Sequence, residues 1–296
     1  MRGVVHPEAP ARVEVTAQRL RASGVLRGAI PARDASDAEL LRVHTPAYLE
    51  LVQRETGTAR TPRHLSTGDA FVDMHSLAAA RRAAGGAVTA MEAAVENDAP
   101  IFALIRPPGH HAEPNRGMGF CIFNNAAIAA RAFQATKGGR VLVVDFDYHH
   151  GNGTQAIAGD GLSYVGTHAA PAYPGSGGTE ANETRHGTDV VANVPLPASG
   201  VSTARFIAIW DKLLPRVAAR VRPDLVVVSA GFDYVAGDPV GDLGVGVEAA
   251  SALAREVADI AAEYCKNRVV YVLEGGYDID ALTESIARVA AESDER

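Results

Sequence analysis

The chain has 296 residues, 47% of them hydrophobic and 21% charged, which is enough to bury a sizeable core within one large domain. A formal charge of −7, with no block of like charge, argues against binding nucleic acid through a basic face. It favours cationic partners only weakly, because salt screens such steering within about 10 Å. No apolar stretch approaches the roughly 18 residues of a membrane span, and none follows the first Arg as in a signal peptide, so a soluble cytoplasmic protein is expected. Cys121 and Cys265 stand far apart and outside any C-x-x-C pattern, and read as buried apolar thiols.

In chain order, segments 13 to 22, 37 to 54 and 76 to 96 carry helical spacing before the first clear strand. Apolar, β-rich runs then alternate with helical segments. The strands are IFALI at 101 to 105, VLVVDF at 141 to 146, LSYVGT at 162 to 167, LVVVSA at 225 to 230 and VVYVL at 269 to 273. The helices between and after them are 122 to 136, 203 to 220, 247 to 263 and 278 to 291. Uninterrupted apolar strands suit a parallel sheet covered on both faces, so the pattern predicts an α/β fold in a single domain spanning 1 to 296. The stretch 170 to 190, APAYPGSGGTEANETRHGTDV, is rich in turn formers and reads as a long loop.

Polar residues gather at the ends of these strands. IFALI runs into RPPGHH, VLVV into DFDYHHGNG, LVVVSA into GFDY and VVYVL into EGGYD. Ligands of parallel sheets bind at the carboxyl ends of strands, where the connecting loops converge. Asp145, Asp147 and His149 alternate with period two, so along an extended segment they point the same way. Asp147 and His149 supply two metal ligands, and Asp233, just past LVVVSAGF, is the natural third, since a catalytic site uses about three protein ligands plus an open position. Any one such Asp reads equally well as a helix cap or turn former; the set together reads as a site.

His110 and His111 follow RPPG, where Pro disfavours helix and Gly permits a sharp turn, and adjacent histidines there can serve as general base and electrostatic partner. Tyr277 in LEGGYD can present a phenol at a strand end, a donor for a developing oxyanion. His6, His44, His64, His75 and His186 lack metal-type spacing and read as structural or exposed, while His150 and His168 stand close enough to the motifs to support them from behind. Neither G-x-S-x-G nor a phosphate loop occurs.

The blocks RPPGHHAEPNRGMGFCIFNNAA, VDFDYHHGNGTQ, SAGFDYVAGDPVGDLGV and LEGGYD, together with HPEAPARV at 6 to 13, resemble the signature blocks of the histone deacetylase and acetylpolyamine amidohydrolase superfamily, in its class II-like bacterial branch. They occur in family order over nearly the whole chain. The resemblance implies an arginase/deacetylase-like α/β fold with Asp147, His149 and Asp233 as zinc ligands, His110 and His111 as proton-handling histidines, and Asp145 as the carboxylate orienting the first of them. It implies that Gly119 receives the substrate amide N–H, that Phe120 and Tyr173 wall an acyl-lysine tunnel, and that Tyr277 is the catalytic tyrosine. It also implies a potassium ion near Asp145, Asp147 and Thr167. Asn152 stands where class I relatives carry an Asp, which leaves His111 less strongly held in its charged form. Val240 stands where a polyamine-preferring relative carries a gatekeeping Glu.

The expected chemistry is metal-assisted hydrolysis of an N-acyl amide, with an acylated lysine peptide or small acylated amine as substrate. Two carboxylates and one imidazole form a hard donor set, so Fe2+ can compete with Zn2+. Three alternatives stay open: an acetylpolyamine deacetylase using the same site, with a loop acid such as Glu180 or Glu183 substituting for the missing Glu; an arginase-like ureohydrolase with two metals; and a non-catalytic acyl-amine binding protein. The sequence leaves the oligomeric state open.

Overall fold

The computed structural model describes residues 6–185 and 189–294. Helices α1 (Ala11–Ala22), α2 (Asp37–Leu40) and α3 (Pro46–Thr58) lead into a short hairpin, β1 (Arg63–His64) and β2 (Phe71–Val72), and the long helix α4 (Ser76–Asn97). Then follow β3 (Ile101–Ala103), α5 (Asn125–Lys137), β4 (Val141–Asp145), α6 (Asn152–Ile157), β5 (Leu162–Ala170), β6 (Glu183–Arg185) and β7 (Asp189–Pro197). The chain continues through α7 (Thr203–Val221), β8 (Leu225–Ala230), α8 (Ala249–Tyr264), β9 (Val269–Leu273) and α9 (Ile279–Asp294).

Among the described residues, seven strands form one sheet in the order β3-β9-β8-β4-β5-β7-β6, parallel throughout except for the antiparallel edge strand β6. Alternate residues of the central strands feed opposite layers, which is why these runs are apolar at every position. Leu142, Val144, Val226, Val228 and Tyr271 pack with Leu20 of α1, Trp210 of α7, Val257 of α8 and Ile286 of α9. Val141, Val143, Val227, Val270 and Val272 pack on the other face with Val52 of α3, Met91 of α4 and Phe133 of α5. Four strands whose ends carry chemistry, β3, β9, β8 and β4, are consecutive in the sheet. That adjacency brings their C-terminal loops to one place.

Besides shifted ends and the unexpected short elements β1, β2 and α6, the structure departs from the sequence expectation in three stretches. The segment 37 to 54 is two helices, because Thr45 takes extended geometry before Pro46 and caps a new helix by accepting from the Tyr48 N–H. The segment 170 to 190 is not all loop: it holds a 3-10 turn at Thr179–Ala181 and the strand β6. Strand β7 itself was not expected, since Pro195 and Pro197 argue against a strand. They are tolerated because β6 pairs only with residues 189 to 191, leaving the outer edge beyond them open. No helix among the described residues is long and apolar enough to cross a membrane.

Helix α7 shows how the outer layer is anchored. Ser202 accepts from Arg205 N–H at its start, and Phe206, Trp210, Leu214, Ala218 and Val221 form its buried stripe. Trp210→Ala should therefore destabilise the fold by about 3–5 kcal/mol, through lost burial and a cavity, without touching the strand ends. Urea unfolding measures this directly; a loss below about 1 kcal/mol would show that α7 is not anchored as described.

Candidate active site

Beyond β4 the chain bends at residues 147 to 149, and short turns in which Asp145 and Asp147 accept from the N–H two residues on bring Asp145, Asp147 and His149 to one region at the strand end. The Asp147 N–H donates to Asp145 Oδ1 at 3.2 Å, the His149 N–H to Asp147 Oδ1 at 2.8 Å, and the Tyr148 N–H to Asp233 Oδ1 at 2.9 Å. His149 Nδ1 lies 3.1 Å from Asp147 Oδ1 and 3.0 Å from Asp233 Oδ2. Asp233 Oδ2 is buried and makes no well-directed hydrogen bond. One ligand atom from each of the three residues lies within 4.8 Å of the others. Ligand atoms bound about 2.0–2.1 Å from a tetrahedral ion stand roughly 3.3 Å apart, so the trio fits a divalent cation. Gly231 and Gly275 make the approach possible: a Cβ on Gly231 would meet Asp147 Oδ2 at 1.8 Å, and one on Gly275 would meet Asp233 Oδ2 at 2.3 Å.

The electrostatics point the same way. Burial and the neighbouring Asp147 charge push the Asp233 carboxyl up to about 6. Burial alone would lower the His149 imidazolium, but the close Asp147 and Asp233 carboxylates outweigh that and raise it to about 10. Two buried acids facing one another thus hold positive charge between them, first as protons.

The tandem histidines are held from the backbone and from their rings. Glu274, at the end of β9, accepts from the Gly109 and His110 N–H groups at 2.6 and 3.1 Å, and burial pushes its carboxyl up to about 7. His110 Nδ1 faces Asp145 Oδ2 at 3.1 Å, and its Nε2 lies 3.8 Å from Asp147 Oδ1. His111 Nδ1 lies 2.8 Å from Asn152 Oδ1, an acceptor, which assigns the proton to Nδ1 and leaves Nε2 free to accept. The two rings are 4.1 Å apart yet titrate in opposite directions. Burial works against charge on both. At His110 the carboxylates of Asp147, Asp145 and Glu274 overcome it and hold the ring well above the ordinary histidine value. His111 gains no comparable partner, and burial with the adjacent His110 and His149 holds it well below.

These groups open on a cavity of about 360 Å³ whose lining includes His110, His111, Asp147 and His149 together with Gly119, Phe120, Tyr173, Val240 and Tyr277. Phe120 stands edge-to-face on Tyr277 at 6.0 Å, and Tyr173 on His111 at 5.1 Å. Gly119 has φ +55°, and a Cβ there would meet the His111 ring at 2.2 Å. Phe120 follows it at φ +68°, a strained conformation for an aromatic residue.

Besides Glu274, sequence reasoning missed three contributors. Asp69, from the turn of the β1–β2 hairpin, lines the cavity and accepts from the Tyr173 hydroxyl at 3.0 Å and the Gly119 N–H at 2.9 Å. A lone Asp in a turn carries no signal of that role. Arg12 is buried, donates to the Glu274 and Gly276 carbonyls at 2.6 Å each, and sits 4.5 Å over the Tyr277 ring. Its place in HPEAPARV was the available hint. Asp238, which accepts from the Tyr277 N–H at 2.6 Å, is the third.

Of the loop acids considered as substitutes, Glu180 does not line the cavity, and the Glu183 side chain lies outside the described residues, as does His186. His150 is engaged with Ser176 and Gln155 at 2.8 Å each and packs on His168 at 4.9 Å, behind the site. His44 is structural, accepting from the Asn124 N–H. Tyr164 reaches toward Asp145 Oδ2 at 3.5 Å.

Residues 6–293 match the family model described as a histone deacetylase domain. Histone deacetylase 15 of Arabidopsis thaliana is 36% identical over 296 residues, covering 96% of this chain and 52% of the plant protein, so this chain spans about half that relative's length. A probable deacetylase of Archaeoglobus fulgidus is 32% identical over 282 residues, covering 93% of this chain and 77% of the archaeal one. The crystal structure of the HDA15 HD domain superposes with a TM-score of 0.89 at 32% identity, covering 99% of this chain and 85% of that one.

Removing any member of the trio should abolish stoichiometric metal. Asp147→Ala, His149→Ala and Asp233→Ala should each bind well under one Zn2+ per chain by elemental analysis, and retention of full metal by any one would exclude it as a ligand. In the unsubstituted protein, metal affinity should rise as pH is raised through about 6 and keep rising toward about 10, because the protons held by Asp233 and then by His149 must leave for the metal to bind. A pH-independent affinity would contradict the site's electrostatics.

Proposed function

The chain belongs to the histone deacetylase family, and from that premise we propose that it is a metal-dependent deacetylase that hydrolyses N-acyl amides, with acyl-lysine as the preferred substrate class. The observation that carries this reading is the pairing of two adjacent histidines, one facing Asp145 and the other Asn152, with a three-residue cluster of which Asp147 and His149 line the same aromatic-walled cavity. Asp147, His149 and Asp233 would hold zinc, or ferrous iron given their hardness, and the ion would polarise the acyl carbonyl and acidify the attacking water. Potassium beside Asp145 belongs to the same proposal; the buried, unpartnered hydroxyl of Thr167, one residue past the register partner of Asp145, supports it.

His111 is the general base. It is neutral, its Nδ1 proton is directed to Asn152, and its Nε2 is free to take a proton as attack proceeds. His110, held charged by Asp145 and Asp147, stabilises developing negative charge and supplies a proton toward the leaving amine. The bound cation would offset part of the field of Asp147, leaving Asp145 as its steady partner. Burial keeps the Tyr277 phenol protonated, so it remains a hydrogen-bond donor for the oxyanion. Gly119, placed against His111, offers its carbonyl to the substrate amide N–H, while Phe120 and Tyr173 flank an apolar stem.

One observation favours a second reading. Asp69 puts a carboxylate at the cavity wall, which would suit an acetylated polyamine. That carboxylate is already engaged by the Tyr173 hydroxyl, shared between its two oxygens, and by the Gly119 N–H, however, and Val240 adds no second charge to the lining, so the internal ammonium of a polyamine would exchange its hydration for one shared partner. An arginase-like two-metal site is not favoured, since His150 and Asn152 are committed to Ser176, Gln155 and His111.

Two measurements test the proposal. Tyr277→Phe should retain metal and substrate binding and lose kcat by about 10²- to 10³-fold, as deletion of one oxyanion donor does; a change confined to KM would assign the hydroxyl to ground-state binding instead. Among substrates, kcat/KM should be higher for acetyl-lysine peptides than for acetylspermidine, and the reverse order against every peptide tried would establish the polyamine reading.

A further inference from the structure

Asp238 lies in the loop between β8 and α8, is buried, and spends its whole carboxylate on backbone N–H groups. Oδ1 accepts from Val240 at 2.9 Å and Gly241 at 3.1 Å, while Oδ2 accepts from Tyr277 at 2.6 Å and Asp278 at 3.1 Å. The first pair belongs to the turn that carries Val240 at the cavity wall, and the second to the turn that carries the phenol of Tyr277. These turns lie about forty residues apart in the chain and share this one acceptor. A charged acceptor in a buried setting binds N–H donors more strongly than a neutral one and fixes their direction. Arg12 holds the other flank of Tyr277 through the Glu274 and Gly276 carbonyls, so the tyrosine is gripped from both sides.

We propose that Asp238 is a positioning residue that locks the Tyr277 hydroxyl in register with the Val240 wall, so that the oxyanion donor and the substrate gate form one rigid unit. This inference rests on the role proposed for Tyr277. A small displacement of a donor from the reacting oxygen is enough to lose most of its effect on rate, which is why a residue that never meets substrate can carry catalytic weight. The turn also rests on the metal-binding loop: a Cβ on Gly241 would meet the Asp233 carbonyl oxygen at 2.4 Å. Metal content is therefore the readout that separates positioning of Tyr277 from support of Asp233.

The test is Asp238→Asn, which keeps size and shape but turns an NH2 group toward two N–H donors and so releases one of the two turns. With one metal ion retained, kcat on an acetyl-lysine peptide should fall about tenfold to hundredfold and KM should change less than about threefold. In a Tyr277→Phe background the same substitution should cost less than about threefold, because the hydroxyl it positions is already gone. Asp238→Ser serves the same comparison if the amide prevents folding. An equal loss in both backgrounds, loss of metal in step with rate, or an unchanged kcat would each overturn the inference. If Tyr277→Phe alone keeps full kcat, the oxyanion assignment fails and this inference fails with it. If Tyr277→Phe loses rate but Asp238→Asn adds its full effect, only the inference fails.

Discussion

Two buried carboxylates facing each other at the end of an apolar sheet are the constraint on which the rest of the site depends. Asp147 and Asp233 sit on neighbouring strand ends with His149 between them, and neither acid reaches bulk water. Burying both as anions without compensation is prohibitive, so the fold demands positive charge at that point. The surroundings reduce the demand without meeting it. Asp147 accepts from the His149 and Gly275 N–H groups and Asp233 from Tyr148, yet Asp233 Oδ2 stays without a directed partner. The parallel sheet makes this arrangement possible by setting β4 beside β8 and β9, so that acids distant in sequence meet at one edge.

The same acids divide the labour of the tandem histidines. His110 and His111 share a loop, a depth of burial and a common wall, yet only His110 stands against Asp145 and Asp147. His111 leans on the neutral amide of Asn152, and that amide is held in turn by Glu113. Within 4.1 Å, one ring is therefore pushed toward its charged form and the other toward its neutral form, a separation that would suit an electrostatic partner and a base. An Asp at position 152 would lift the charge of His111 and blur this distinction.

Much of this was legible in the sequence because strand ends in parallel sheets punctuate apolar runs with polar residues. The runs around Val143, Val227 and Tyr271 marked the central strands, and the residues after them marked the site. Strand β7 was not legible, since Pro195 and Pro197 mask an edge whose openness only the pairing with β6 reveals. Asp69, Arg12 and Asp238 were missed for a related reason: each acts through backbone groups or a single hydroxyl of a distant segment, and such contacts leave no spacing to read. The split of α2 from α3, by contrast, was written in Thr45 and Pro46 and was overridden by the helical periodicity around it.

The central claim is that one cation, held by Asp147, His149 and Asp233, makes this cavity a hydrolytic site. The most direct measurement is the rate of acetyl-lysine peptide hydrolysis by metal-stripped protein as Zn2+ is returned in substoichiometric steps. Activity should be absent at the start, rise linearly with each addition, and reach a plateau at about one ion per chain. Full activity in the stripped protein, or a plateau only at two ions, would contradict the claim.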